Sequence, residues 1–241
     1  MTILRLRLES RVPADGRVEV SGVEHRYLSR VRRVRAGETV ELFDGSGRRW
    51  RGLVERIGPT QTVLSGLAEQ PPVVTVPLVL AVGLGRGEPL ARVVRAASEL
   101  AVDRIVPLLC ERSLGRGASV GALVARLRRV AAEALRAGGA GRAPQLDEPV
   151  PLDEWCAGLE PAAAKLVLDL AGDPLREVVT ARCDPAPTAW VLAVGPEGGF
   201  SEPELERLAA AGFARASLAS LPLRVETAAV GAVAVLRALV G

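Results

Sequence analysis

The sequence predicts an α/β protein in two parts: a small N-terminal β-barrel over residues 1–70 and a larger α/β domain with a mostly parallel sheet over 73–241. Three observations carry this reading. The first seventy residues alternate apolar and polar side chains with a period of two. A proline-containing segment then interrupts the pattern, and beyond it short continuous apolar runs alternate with stretches of helical spacing. With 241 residues and 49% hydrophobic content the chain can bury one large core or two modest ones, which excludes disorder.

In the first part Leu4, Leu6 and Leu8 alternate with Arg5 and Arg7, and Thr39–Phe43 and Trp50–Ile57 repeat the pattern. Asp44-Gly-Ser-Gly47 between the latter two has the composition of a hairpin turn. Strands this short leave few open edges when they close into a barrel. Gln70–Pro77, reading QPPVVTVP, is a stiff linker. After it, Leu78–Val82, Ile105–Leu109, Leu166–Leu170, Trp190–Val194 and Ala214–Leu218 are unbroken apolar runs, as strands buried on both faces require. Between them Leu90, Val93, Val94, Ala97, Leu100 and Ala101 share one helical face, and so do Val120, Leu123, Val124, Leu127, Val130, Ala131 and Ala134. Ser201-Glu-Pro-Glu204 has the spacing of a capping box and opens a helix that Gly212 ends. Val225–Val240 is helical and apolar on most sides, so it needs more than one neighbour, which makes it a candidate subunit interface as well as core.

Composition excludes much ordinary enzymology. A single histidine, His25, and a single lysine, Lys165, remove most Ser-His and Cys-His schemes, His-rich metal centres and a GxxxxGK[ST] phosphate loop. Cys110, Cys156 and Cys183 are odd in number and widely spaced, supporting neither a disulfide framework nor a structural zinc site; they read as buried apolar fillers. No apolar run is long enough to span a membrane and Met1–Leu8 is no signal peptide, so the expected address is cytoplasmic. The net charge of +3 is unevenly spread: residues 1–70 hold 13 arginines against nine acidic residues, a balance of +4 that leaves −1 for the rest. Five of those arginines fall between Arg26 and Arg35 beside Tyr27. That composition suits phosphate contacts and base stacking, or else a solvated basic face.

Three motifs remain. Gly83-Leu-Gly85-Arg-Gly87-Glu88 stands where a dinucleotide fingerprint would, with Glu111 about where a ribose acid belongs, but position 88 is Glu rather than the third glycine. A plain loop opening a helix is the better reading. Gly195-Pro-Glu-Gly-Gly199 follows a strand and precedes the capped helix; its paired glycines let backbone amides approach a ligand. Leu218–Ala228 (LASLPLRVETA) concentrates Arg224, Glu226 and Thr227 just before the apolar helix, either as site groups or as an ordinary helix start.

GPEGGF-S-x-x-E followed by LPLRVETA resembles the C-terminal signature of the RsmE-type rRNA methyltransferases of the SPOUT superfamily. HRYLSRVRRVRAGETVELFDGSG is similar to that family's PUA-like RNA-binding barrel, and ARVVRAASELAVDRIVPLLCERS to its helix and strand ending in E-R-S. The resemblance implies a trefoil-knotted SPOUT α/β domain, a topology no periodicity predicts and general chain-threading rules disfavour. It implies an S-adenosyl-L-methionine-dependent enzyme acting on N3 of a specific uridine in 16S rRNA, in or out of the small ribosomal subunit, with neither metal nor membrane. It further implies a homodimer, with the apolar last helix suited to the interface.

Carried onto this chain, cofactor binding falls to Leu168, Gly195, Pro196, Glu197, Gly198, Gly199, Leu218, Ser220, Leu221 and Leu223. Catalysis falls to Arg224 as stabiliser of the uracil anion or RNA clamp, Glu226 as its orienting partner and Glu197 as proton acceptor. RNA contacts fall to His25, Arg30, Arg32, Arg33, Arg35, Arg136 and Arg142. The chain departs from the family pattern at Ala137 and Ala140, where Gln and Arg are usual, at Arg95 for a lysine, at Ala101 for a glycine and at Arg32 for a leucine. The alanines leave two alternatives: a paralogue that methylates another RNA, and an RNA-binding protein without catalysis.

Overall fold

A computed structural model describes residues 4–8, 12–85, 87–113, 120–135 and 141–240. The chain divides into two compact units, residues 1–74 with 135–142 and residues 75–134 with 143–241.

In the first unit β1 (Leu4–Arg7) and β2 (Val18–Ser21) precede a short helix α1 (Gly22–Arg26), followed by β3 (Thr39–Phe43), β4 (Arg49–Ile57) and β5 (Gln61–Gln70). The strands form one sheet in the order β1-β3-β4-β5-β2. Register shifts in the β4–β5 ladder, between Arg51 and Leu53 and between Val54 and Arg56, bend the sheet. It curls around a core that includes Leu6, Val40, Leu42, Trp50, Val54 and Leu64, the inward set of the period-two pattern. The β3–β4 turn uses positive φ at Gly45 and Gly47, while Asp44 Oδ1 accepts from the Ser46 amide at 2.9 Å. The arginine-rich segment is helical: α1 runs into a π-helical turn, Tyr27–Arg32, which Arg33 ends in the left-handed conformation. Leu28 and Val34 anchor that turn in the core and leave Arg30, Arg32, Arg33 and Arg35 exposed.

The second unit contains β6 (Leu78–Gly83), α2 (Gly87–Glu99), β7 (Arg104–Leu109), α3 (Val120–Ala134), β8 (Gln145–Leu146), β9 (Val150–Pro151), α4 (Leu152–Ala157), β10 (Ala164–Pro174), α5 (Leu175–Ala181), β11 (Trp190–Val194), α6 (Glu202–Ala210), β12 (Ala214–Ser217) and α7 (Val225–Val240). Its sheet is parallel throughout, in the order β12-β10-β11-β6-β7-β8, with β9 also on β7. Alternation along the strands feeds two apolar layers. Leu78, Leu80, Val82, Leu166, Trp190 and Leu192 face α2, α3, α5 and α7. Ala81, Val106, Val167, Val191 and Ala193 face α4 and α6, where Trp155 packs against Phe213 with centroids 5.6 Å apart. Burial on both faces explains why these strands read as continuous apolar runs.

Helix α7 buries Ala229, Ala232, Val233 and Leu236 and meets α2, α5, β6 and β11. Ala234, Ala238 and Leu239 stay exposed. Its Arg237 reaches the carbonyls of Val76, Leu100 and Ala101, and its guanidinium lies 3.4 Å from Asp103, which itself accepts from the Leu78 amide at 2.8 Å. One side chain thus ties the last helix to the entrance of β6 and the exit of α2. Truncating Arg237 to alanine leaves three half-buried carbonyls without this donor and Asp103 without its guanidinium, and is expected to lower stability by about 2–4 kcal/mol. Urea unfolding of the Arg237→Ala protein checks this; a midpoint equal to that of the parent chain refutes it.

The cysteines differ from one another: Cys110 is buried, Cys156 half-buried and Cys183 exposed, so only the first fits the filler role. Burial, with the Glu204 carboxylate nearby, pushes the Cys110 thiol up to about 12. Lys165, at the start of β10, is also buried, and its Nζ donates to the Ala211 carbonyl at 3.2 Å. Among the described residues no helix is long and apolar enough to cross a membrane.

Candidate active site

Three adjacent strands, β11, β10 and β12, end on the same side of the sheet, where open parallel sheets bind ligands. Their exits enclose a cavity of about 830 Å³, within the range of cofactor sites. The first wall is the end of β10. Leu168 and Asp173 both pair with Ala216, so residues 169–172 bulge out of the ladder and bring Asp169 and Leu170 to the cavity. Arg215 holds that bulge, lying 3.3 Å from Asp169 while donating to Glu202 at 3.0 Å.

The second wall is the turn after β11, where the Gly199 amide donates to the Pro196 carbonyl at 2.8 Å and Gly199 has φ of +69°. Here the Gly83-Leu-Gly85 motif finds its reason. A Cβ on Gly83 would lie 2.4 Å from both Cδ and N of Pro196, and one on Gly85 would lie 2.4 Å from Glu197 Oε2. The two glycines are a seat for the Pro196–Glu197 turn, which a dinucleotide reading could not supply. Glu204 then fastens the exit of the turn: its carboxylate accepts from the Ser201 amide at 2.8 Å, the reciprocal contact of a capping box, and from the Glu111 amide at 2.7 Å.

The third wall is the segment after β12, where Leu218, Leu221, Leu223, Arg224 and Glu226 line the cavity. Arg224 is exposed and its side chain has no hydrogen-bond or ion-pair partner among the described residues. Glu226 is 17% exposed and pairs with Arg92 of α2 at 3.5 Å, not with Arg224, so the expected orienting contact is absent among the described residues. Glu88 and Pro89 at the start of α2 complete the lining and were not anticipated.

The structure therefore brings together in one cavity all three expected catalytic groups and Leu168, Gly195, Pro196, Gly199, Leu218, Leu221 and Leu223. Gly198 and Ser220 lie outside its lining. Of the expected RNA contacts, Arg30, Arg32, Arg33 and Arg35 are exposed on the first unit, and Arg142 is exposed there too, its backbone bridging to Gly45 and Ser46. His25 is corrected: it is buried at 6% exposure, with Nδ1 2.9 Å from Thr62 Oγ1 and Nε2 3.3 Å from the Pro59 carbonyl. It is a core group of the curled sheet, not an RNA-facing one. Arg136, with Ala137 and Ala140, lies outside the described residues.

Residues 72–237 match the RNA methyltransferase domain family, and residues 24–64 match the RNA methyltransferase PUA domain. The ribosomal RNA small subunit methyltransferase E of Mycobacterium bovis is 32% identical over 234 residues, covering 93% of this chain and 89% of that one. The chain belongs to the RsmE-type RNA methyltransferase family. A second RsmE relative, from Synechocystis, is 29% identical over 229 residues, covering 93% of this chain and 74% of its own. The RsmE of Neisseria gonorrhoeae, solved with S-adenosylmethionine, shares the fold at TM-score 0.82 and 24% identity over 100% of this chain and 99% of that one. A Legionella pneumophila protein described as a methyltransferase, solved with the same cofactor, has TM-score 0.79 at 26% identity, covering 99% and 98%. The RsmE assignment bears out the SPOUT-type α/β domain with its PUA-like first unit.

What the RsmE motifs left unassigned is the E-R-S segment. Arg112 Nη1 donates to the Gly198 carbonyl at 2.7 Å and approaches that of Phe200 at 3.4 Å. Its position at the end of an apolar strand was legible; its target, 86 residues away in sequence, was not.

Proposed function

We propose that this enzyme transfers the methyl group of S-adenosylmethionine to N3 of a specific uridine in 16S rRNA of the small ribosomal subunit, working in the cytoplasm as a homodimer. The observation that carries the reading is the cavity at the three strand exits, lined by the exposed guanidinium of Arg224, which has no hydrogen-bond or ion-pair partner among the described residues. The lining fits the cofactor. Glu197 brings a carboxylate suited to a sulfonium, the lining carboxylates Glu88, Asp169 and Glu226 being paired with Arg126, Arg215 and Arg92, and Leu168, Leu170, Leu218, Leu221 and Leu223 offer apolar area for an adenine ring. Bound there, S-adenosylmethionine supplies an electrophilic methyl group for an in-line displacement.

The chain's own residues then have two tasks. The backbone of the Gly195–Gly199 turn and the Leu218–Leu223 segment hold the cofactor and exclude water, so that alignment lowers the barrier. Uracil N3 is a competent nucleophile once its proton has left, so the second task is to stabilise the anion. Arg224 does this electrostatically at a uracil oxygen, and Glu197, directly or through water, accepts the proton. N3 lies on the Watson–Crick edge, so the base must be unpaired or flipped to enter. The exposed arginines of the first unit supply phosphate contacts. The dimer is supported by the apolar side chains left open at the cavity rim, Leu221 at 72% exposure among them, together with the outer strip of α7.

Nucleoside mass spectrometry on unmodified small subunits incubated with the protein and S-adenosylmethionine tests this. New 3-methyluridine is the expected product. Cofactor binding by calorimetry without any 3-methyluridine would overturn the substrate assignment and point to another RNA, in keeping with Ala137 and Ala140.

A further inference from the structure

We infer that Arg112 is a positioning residue for the cofactor turn, acting through the backbone carbonyls of Gly198 and Phe200; this rests on the cofactor reading above. Gly198 is the glycine of the turn that does not line the cavity, so ligand approach does not explain it. The Arg112 stem does: a Cβ on Gly198 would lie 3.2 Å from Cδ and 3.4 Å from Cβ of Arg112. The absent side chain lets the arginine lie flat against the turn and place Nη1 2.7 Å from the Gly198 carbonyl and 3.4 Å from that of Phe200.

Both peptide groups that Arg112 holds are fastened at their other ends as well. The 198–199 peptide donates its N–H to the Pro196 carbonyl, and the 200–201 peptide donates its N–H to Glu204 Oε2. Neither peptide can rotate without losing two hydrogen bonds, of which one is charge-assisted at 198–199 and both are at 200–201. The residues between β11 and these peptides, Gly195, Pro196 and Glu197, line the cavity, as does Gly199 at the first of them. Arg112 itself is not among the lining residues, so its influence on the cofactor passes through the turn. Glu111 is tied to the same turn by Glu204, so the E-R of the E-R-S segment serves as one buttress behind the site.

A buttress of this kind raises cofactor affinity by preorganising the turn and leaves the chemical step, run by other groups, less changed. Calorimetry with S-adenosylmethionine and single-turnover methylation at saturating cofactor read the two separately on the full chain. Arg112→Ala is expected to weaken cofactor binding about tenfold or more, with a change of less than about threefold in the saturated rate. Arg112→Lys, which retains one donor for the Gly198 carbonyl, is expected to fall between the two. Gly198→Ala should weaken binding in the parent chain yet add little to Arg112→Ala, because both act on one contact. Parental affinity in Arg112→Ala, or in Arg112→Lys should the alanine chain not fold, overturns the inference. So does a loss confined to the saturated rate. A parent chain that binds no S-adenosylmethionine instead sinks the cofactor reading beneath it.

Discussion

Arg224→Ala is expected to slow methyl transfer by about two to three orders of magnitude at saturating cofactor, the scale of removing one well-placed donor to a developing anion. The side chain is exposed at the cavity and makes no hydrogen bond or ion pair with other described residues, while its backbone carbonyl accepts the Ala228 amide at 2.9 Å to open α7. Its removal therefore deletes a charge from the site and leaves the fold within about 0.5 kcal/mol of the parent. Cofactor affinity should move little, because the group is assigned to the base. Arg224→Lys separates charge from shape: it retains the cation but loses the planar fork, so a partial recovery is expected. Single-turnover rates decide the matter, and a rate for Arg224→Ala within twofold of the parent would remove Arg224 from the mechanism.

Gly83→Ala is expected to weaken cofactor binding on the order of a hundredfold, at the upper end of what overpacking costs. The added methyl would meet the ring and the nitrogen of Pro196 together, both at 2.4 Å, so no rotamer change relieves it. Nor can the strands separate, since β6 and β11 are paired from Leu78 with Trp190 to Val82 with Val194. The turn itself must shift, taking Glu197 with it. Gly121→Ala is the control: a Cβ there meets nothing within 4 Å, and it sits in helix α3, so stability should hold or rise slightly. Calorimetric binding within threefold of the parent for Gly83→Ala would show that the turn tolerates displacement.

The strands of the second unit were legible because burial on both faces erases alternation: Trp190–Val194 and the last helix Val225–Val240 have in the structure the bounds read from the sequence. The short elements were not. β8 and β9 have two residues each, too few for any periodicity, and exist because β7 offers an edge. The cavity lining was legible where a motif marked it, in Gly195–Gly199 and Leu218–Glu226. Its supports were hidden, because Arg112, Arg215 and the Gly83 seat are defined by contacts across the sheet rather than by neighbours in the chain. His25 was open between the barrel's RNA-facing surface and its core, and only the Thr62 hydroxyl and Pro59 carbonyl facing it, both distant in sequence, decide for the core.

The burial of Lys165 reaches beyond packing. It is the only side-chain amine in a protein that otherwise writes its positive charge in arginine, and its nitrogen is spent on the Ala211 carbonyl inside the fold. Succinimidyl dyes, amine crosslinkers, acetyltransferases and ubiquitin ligases therefore find no accessible lysine on the native molecule. The arginine charge exposed on the first unit cannot be tuned by lysine acylation, and a fluorophore for binding studies is better directed at the exposed thiol of Cys183.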